Sequence, residues 1–87
     1  SAIMRYRYMT QGTCSRVIEF EVEEGKVKDV AFTGGCHGNL QGVGRLVEGM
    51  KAEDVIARLE GIRCGAKPTS CPDQLAQALK AVADGQG

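Results

Sequence analysis

Tryptophan is missing from this chain, and only two phenylalanines and two tyrosines are present among 87 residues. A stacking platform for nucleic-acid bases needs more than that. Excess charge is missing too: 11 basic residues offset 11 acidic ones, which argues against a nucleic-acid binder working by bulk charge. No apolar run approaches the roughly 20 residues that cross a bilayer, so no membrane partner is expected. No charged n-region, apolar h-region and cleavage site open the chain, and a cytoplasmic location is therefore expected. A single histidine and the lack of a nucleophile elbow leave no serine–histidine–acid arrangement.

What the chain does have is cysteine and glycine, with 4 and 12 residues. A chain this short buries little surface, so it often relies on a metal, a disulfide or a partner. Residues 1–87 are expected to form one domain. Disulfides are uncommon in the cytosol, so Cys14, Cys36, Cys64 and Cys71 point first to metal or thiol chemistry.

The alternation in Met4–Met9 predicts a strand with Tyr6 and Tyr8 on one face. In 17–23, Ile18, Phe20 and Val22 face one way and Glu19, Glu21 and Glu23 the other. Glu24-Gly25 supplies a turn. Lys26–Phe32 returns as a third strand, with Val30 and Phe32 inward. This hairpin places Cys14, just before it, and Cys36, just after it, at one end of the sheet.

From His37 the period becomes helical, with Leu40, Val43 and Val47 in a stripe and Leu46 beside it. Gly42 and Gly44 weaken that helix by about 1 kcal/mol each relative to alanine, and would allow close packing. Asn39 is the expected cap, and Gly49 the end. Lys51–Glu60 forms a second helix on Ala52, Val55, Ile56 and Leu59, stopped by Gly61. After the loop 62–70 a third helix begins at Cys71-Pro72-Asp73, with Leu75, Leu79 and Val82 inward. Either Ser70 and Asp73 form a capping box, or Cys71 is itself the cap. The last residues are expected to fray. The fold class is α+β: a three-stranded, mainly antiparallel sheet with three helices on one face, in the order β-β-β-α-α-α.

All four cysteines fall in turns or at element ends, where ligands can converge. Thiolates are soft ligands for zinc and for iron–sulfur iron. Four complete a tetrahedral zinc site, the first choice, or hold a [2Fe–2S] cluster. Cys71, at a helix N-terminus, should have a lowered pKa. Gly34, Gly35 and Gly38 leave backbone N–H groups beside Cys36 to support a ligated sulfur. No Cys-x-x-Cys pair exists, so zinc-finger spacing does not carry this reading. The alternatives are buried structural cysteines or a thiol redox relay through Cys64 and Cys71. His37 is a further ligand, a proton donor or an exposed loop residue. Arg5, Arg7 and Arg16, with Arg63 and Lys67, offer an anion such as a nucleotide phosphate a basic surface, or form a solvated face.

At Thr69-Ser70-Cys71-Pro72-Asp73 the chain resembles the TSCPD domain family. The likeness extends through Gly35-Cys36-His37-Gly38-Asn39-Leu40-Gln41-Gly42, Leu46-Val47-Glu48-Gly49 and Gly61-Ile62-Arg63-Cys64-Gly65. A related domain ends the vitamin B12-dependent ribonucleotide reductases. The resemblance therefore implies an accessory module linked to deoxyribonucleotide synthesis, with a reductase or another protein as partner and no independent activity. A more distant likeness is to the IscU and NifU iron–sulfur scaffolds. It is carried by Cys14, by 25–32 with Gly35-Cys36, and by Cys71 inside a terminal helix. This likeness implies an IscU-like fold and a scaffold or carrier role. The chain departs from those scaffolds at Arg16, where an aspartate is expected, and at Ser70, where a histidine is expected. It also lacks their chaperone-recognition loop around 62–67, and Cys64 is extra.

Overall fold

The computed structural model describes residues 2–83. The expected fraying at the C-terminus lies beyond 83, outside the described residues. Three strands come first: β1 (Ile3–Met9), β2 (Ser15–Glu23) and β3 (Lys26–Gly34). Three helices follow: α1 (His37–Val47), α2 (Ala52–Leu59) and α3 (Cys71–Ala83). The sheet is antiparallel in the order β1-β2-β3, and its element order is the one read from the sequence.

The β2–β3 hairpin turns on Glu24 and Gly25, at φ 54° and 77°, with Glu23 paired to Lys26. Two left-handed residues make the tight turn whose twist matches that of the flanking strands. The pairing then slips twice. Arg16 is an extra residue on β2, because Ser15 pairs with Gly34 and Val17 with Thr33. Asp29 and Val30 together face Phe20, because Glu19 pairs with Ala31 and Glu21 with Lys28. Asp29 holds φ 53° there, and its amide donates to the Glu48 carboxylate at 2.9 Å. Each bulge shifts the in–out phase by one residue. Val17 is consequently buried beside Ile18, and Val27 is buried on the same face as Val30 and Phe32.

The helices cover this apolar face. Ile18, Phe20 and Val27 from the sheet meet Val47, Val55, Leu75, Ala78 and Leu79 from the helices. Burying a side chain the size of Leu or Phe stabilises the fold by about 1.5–3 kcal/mol. Tyr6 stacks on Phe20 with ring centroids 5.5 Å apart. On the opposite face Arg5 meets Glu21 at 2.9 Å and Asp29 at 3.0 Å, and Lys28 meets Glu23 at 2.8 Å.

The segment between α1 and α2 closes part of the outer edge of β3. Gly49 donates to the Val27 carbonyl, Val27 to that of Met50, and Ala52 to that of Gly25, at 2.7–2.8 Å. The close packing expected of α1 occurs at Gly44, where a Cβ would lie 3.0 Å from the Val30 carbonyl oxygen. Nothing lies that near Gly42. Two expectations fail on α1. Leu46 is 80% exposed, because it falls on the solvent side of the stripe formed by Leu40, Gly44 and Val47. Asn39 lies inside the helix and Cys36 is the N-cap residue. The left-handed pair Gly34-Gly35, at φ 86° and 78°, turns the chain early, so the Leu40 amide already reaches the Cys36 carbonyl at 2.9 Å.

Candidate metal centre

The pentapeptide Thr69-Ser70-Cys71-Pro72-Asp73 is a helix start in which each side chain has a local reason. Ser70 is the cap: its Oγ accepts the Asp73 amide at 3.1 Å, and its carbonyl accepts the Gln74 amide at 2.8 Å. Cys71 is therefore the first helical residue and not the cap, and Pro72 stands where a helix has no use for an N–H. Only half of the capping box forms. The Asp73 carboxylate does not return to Ser70 but accepts the Thr69 hydroxyl at 2.5 Å and the Gly61 amide at 2.7 Å. Burial pushes the Asp73 carboxyl up. The bonds from Thr69, Gly61 and Gln77 and the charge of Lys80 outweigh it, and the group lies below its ordinary value.

This cap points Cys71 into the β1–β2 connection. Its Sγ is 2.7 Å from Thr13 Oγ1 and accepts the Ser15 hydroxyl at 3.1 Å. The backbone of Ser15 and Cys14 also favours the anionic form of this sulfur. Cys71 is only 9% exposed. Burial alone would raise its thiol pKa, yet the donors from Ser15, Thr13 and Cys14 bring it below the ordinary value. The positive end of α3 acts in the same direction. The connection is itself pinned to α3, because the Gln11 amide donates to Gln74 Oε1 at 3.1 Å.

The other cysteine-bearing turns meet here. Cys14 lies between the two hydroxyl residues that hold Cys71. Gly35, next to Cys36, faces the Cys71 sulfur: a Cβ on it would lie 3.6 Å from Sγ, 3.4 Å from the Ser15 amide nitrogen and 2.8 Å from Leu40 Cδ1. Cys64 opens a turn in which its amide donates to the Thr69 carbonyl at 3.1 Å and Lys67 donates to its carbonyl at 3.0 Å. Lys67 Nζ lies 3.7 Å from Cys14 Sγ. All four cysteines are free thiols; Cys14, Cys36 and Cys64 are exposed and Cys71 is buried. Among the described residues, no three histidine, cysteine, aspartate or glutamate side chains converge closely enough to hold a metal ion as they stand.

By chemistry alone, four thiols are the ligand type of a thiophilic ion. The segments that carry the four cysteines meet beside Cys71, whose thiol pKa is drawn below its ordinary value, and Cys14, Cys36 and Cys64 are exposed. Each exposed cysteine has a left-handed glycine close by in sequence: Gly12, Gly35 and Gly65, at φ 73°, 78° and 59°.

The remaining sequence candidates fall elsewhere. His37 is exposed at the first position of α1, and its Nδ1 lies 3.1 Å from Gln41 Nε2, one helical turn on. Gly38 lies inside α1 with nothing within 4 Å of the place of a Cβ, whereas a Cβ on Gly35 would lie 3.6 Å from the Cys71 sulfur. Arg5, one of the arginines offered to an anion, is already engaged by Glu21 and Asp29. Sequence reasoning missed Thr13, Ser15 and Lys67 as partners of sulfur. The signal for the first two is the run Thr13-Cys14-Ser15, a cysteine flanked by hydroxyls. No helix among the described residues is long and apolar enough to cross a membrane.

No curated protein and no solved structure matches the chain significantly. The TSCPD domain family matches residues 2–83. The matched span includes the capped Thr69-Ser70-Cys71-Pro72-Asp73 helix start and all four cysteines, and the chain belongs to the TSCPD domain family.

Proposed function

We propose that this is a small metal-binding accessory domain whose ligands are Cys14, Cys36, Cys64 and Cys71. Zinc is its first-choice ion and a [2Fe–2S] cluster the alternative. The observation that carries this reading is the buried Cys71 sulfur, bonded by Thr13 and Ser15 at the meeting point of the other three cysteine turns. A buried sulfur on a fixed helix start, its pKa drawn below the ordinary thiol value, anchors the site. Thr13 and Ser15 would act as outer partners of that sulfur when a metal is bound. The exposed turns then bring in Cys14, Cys36 and Cys64. A bound metal would cross-link α3 to the β1–β2 connection, the β3–α1 turn and the α2–α3 loop.

The family resemblance supports a protein partner, with a ribonucleotide reductase as the partner class and deoxyribonucleotide synthesis as the setting. Protein purified without oxygen and without added zinc is expected to carry about one metal equivalent per chain, and chelation should lower its thermal midpoint. Less than about a tenth of an equivalent, with all four thiols freely titratable, would exclude the resident-metal reading.

One observation favours an iron–sulfur scaffold or carrier as a second reading: three of the four thiols are exposed to an acceptor. Anaerobic reconstitution should then give charge-transfer bands that disappear as an apo-acceptor gains them. A cluster that forms and stays in place argues for the accessory domain instead.

A further inference from the structure

We propose that the outer edge of β1 is a docking site for a protein segment that alternates acidic and apolar residues and joins the sheet as a further strand. Because β1 ends the order β1-β2-β3, only one of its sides is paired. The Thr10 amide donates to the Arg16 carbonyl, and β1 runs along β2 without a register shift. Bonding alternates along an antiparallel pair. Met4, Tyr6 and Tyr8 therefore turn their backbone groups to β2, and Ile3, Arg5, Arg7 and Met9 turn theirs outward. Among the described residues, no backbone hydrogen bond reaches that outward row. The opposite edge of the sheet, on β3, is instead closed in part by 49–52.

The side chains say what this edge would accept. Ile3 and Met4 are each 54% exposed and Met9 is 66% exposed. Arg7 stands opposite Glu19 in the ladder. Among the described residues, however, the ion pairs are made by Arg5, Lys28 and Lys80, which leaves the Arg7 guanidinium for a carboxylate from outside. β1 already takes one strand of matching pattern. β2 sets Glu21 and Glu19 opposite Arg5 and Arg7, and Val22, Phe20 and Ile18 opposite Met4, Tyr6 and Tyr8. A strand on the outer side meets the same two rows of side chains. A second copy of β1 does not fit. Outward residues must face outward residues, and the registers that keep most of the strand paired set Arg5 against Arg7 or an arginine against its own copy. Like charges directly opposite destabilise the pairing. The arginines thus turn away the chain's own edge and favour an acidic partner. No cysteine lies on this edge, so the inference is independent of the metal reading.

Hydrogen exchange, followed amide by amide by NMR, tests this with a capped synthetic peptide copying Val17–Glu23 as the probe. In the free protein the amides of Arg5 and Arg7 should exchange quickly and those of Tyr6 and Tyr8 slowly. Excess peptide should slow Ile3, Arg5, Arg7 and Met9 by about tenfold or more. A peptide with lysine in place of each glutamate should bind about threefold to tenfold more weakly, as expected when a cross-strand charge pair turns from attraction to repulsion. Arg7→Glu should reverse that preference, and the differences should shrink at high salt. Outward amides that stay fast at millimolar peptide would overturn the proposal, and so would a peptide that displaces β2 and leaves them fast. Equal protection of wild type by the glutamate and lysine peptides would overturn the acidic partner. Protection that rises with the concentration of the free protein alone would give the edge to a second copy, against the proposal.

Discussion

Ser15 and Cys71 lie 56 positions apart in the chain, yet the Ser15 hydroxyl and the Cys71 sulfur are bonded at 3.1 Å. That contact joins the first strand of the hairpin to the first turn of the last helix, and it favours the thiolate. In a variant keeping Cys71 as its only cysteine, Ser15→Ala should raise the Cys71 pKa. A hydrogen bond to a charged group contributes about 1.5–3 kcal/mol, so the equilibrium between thiol and thiolate should shift toward the thiol by about tenfold or more. Thiolate absorbance followed against pH measures this directly. An unchanged titration midpoint would show that the amides of Ser15 and Cys14 hold the charge without the hydroxyl.

Asp73 works at the other side of the same helix start. Its carboxylate bonds to Gly61 and Thr69, and the group titrates below its ordinary range. A depressed carboxylate stabilises the fold at pH values above its unfolded pKa, and that contribution is lost as pH falls through the lower folded value. Asp73→Asn should therefore cost about 1–3 kcal/mol at neutral pH. It should also flatten the decline in stability below about pH 4. Urea unfolding at neutral and acidic pH compares the two proteins. A variant as acid-sensitive as wild type would assign the decline to other carboxylates.

Gly25 and Gly35 share nearly the same backbone conformation, at φ 77° and 78°, but not the same surroundings. A Cβ on Gly25 meets nothing within 4 Å, whereas one on Gly35 strikes Leu40 at 2.8 Å and presses on Ser15. Both alanine variants should lose about 1–2 kcal/mol to the left-handed backbone. Gly35→Ala should lose about 1–3 kcal/mol more through overpacking beside Cys71. Thermal melts of the two variants give the difference. Equal losses would mean that the space around Cys71 yields without cost.

Much of the fold was legible because its signals are local. The Glu24-Gly25 turn, the inward set Ile18, Phe20 and Val22, and the stripe of α3 are each read from neighbouring residues. The hairpin, in turn, places Cys14 and Cys36 at one end by strand length alone. What escaped depends on contacts between distant parts. Val17 and Val27 are buried because bulges at Arg16 and Asp29 shift the strand phase, and alternation alone does not mark a bulge. Asn39 has the chemistry of a cap, but the left-handed pair Gly34-Gly35 starts the helix before it. Thr13 and Ser15 become partners of Cys71 only once α3 docks against the β1–β2 connection, and Lys67 reaches Cys14 only through a turn that Asp73 and Thr69 hold in place.

The proposed metal site requires the four thiols to act as one centre anchored on Cys71. Alkylation of each cysteine, followed by mass spectrometry before and after loading with one equivalent of zinc, tests it most directly. Cys14, Cys36, Cys64 and Cys71 are expected to lose reactivity together and to regain it together when a chelator removes the metal. If any of the three exposed cysteines keeps its metal-free alkylation rate while zinc is bound, the four do not form one centre.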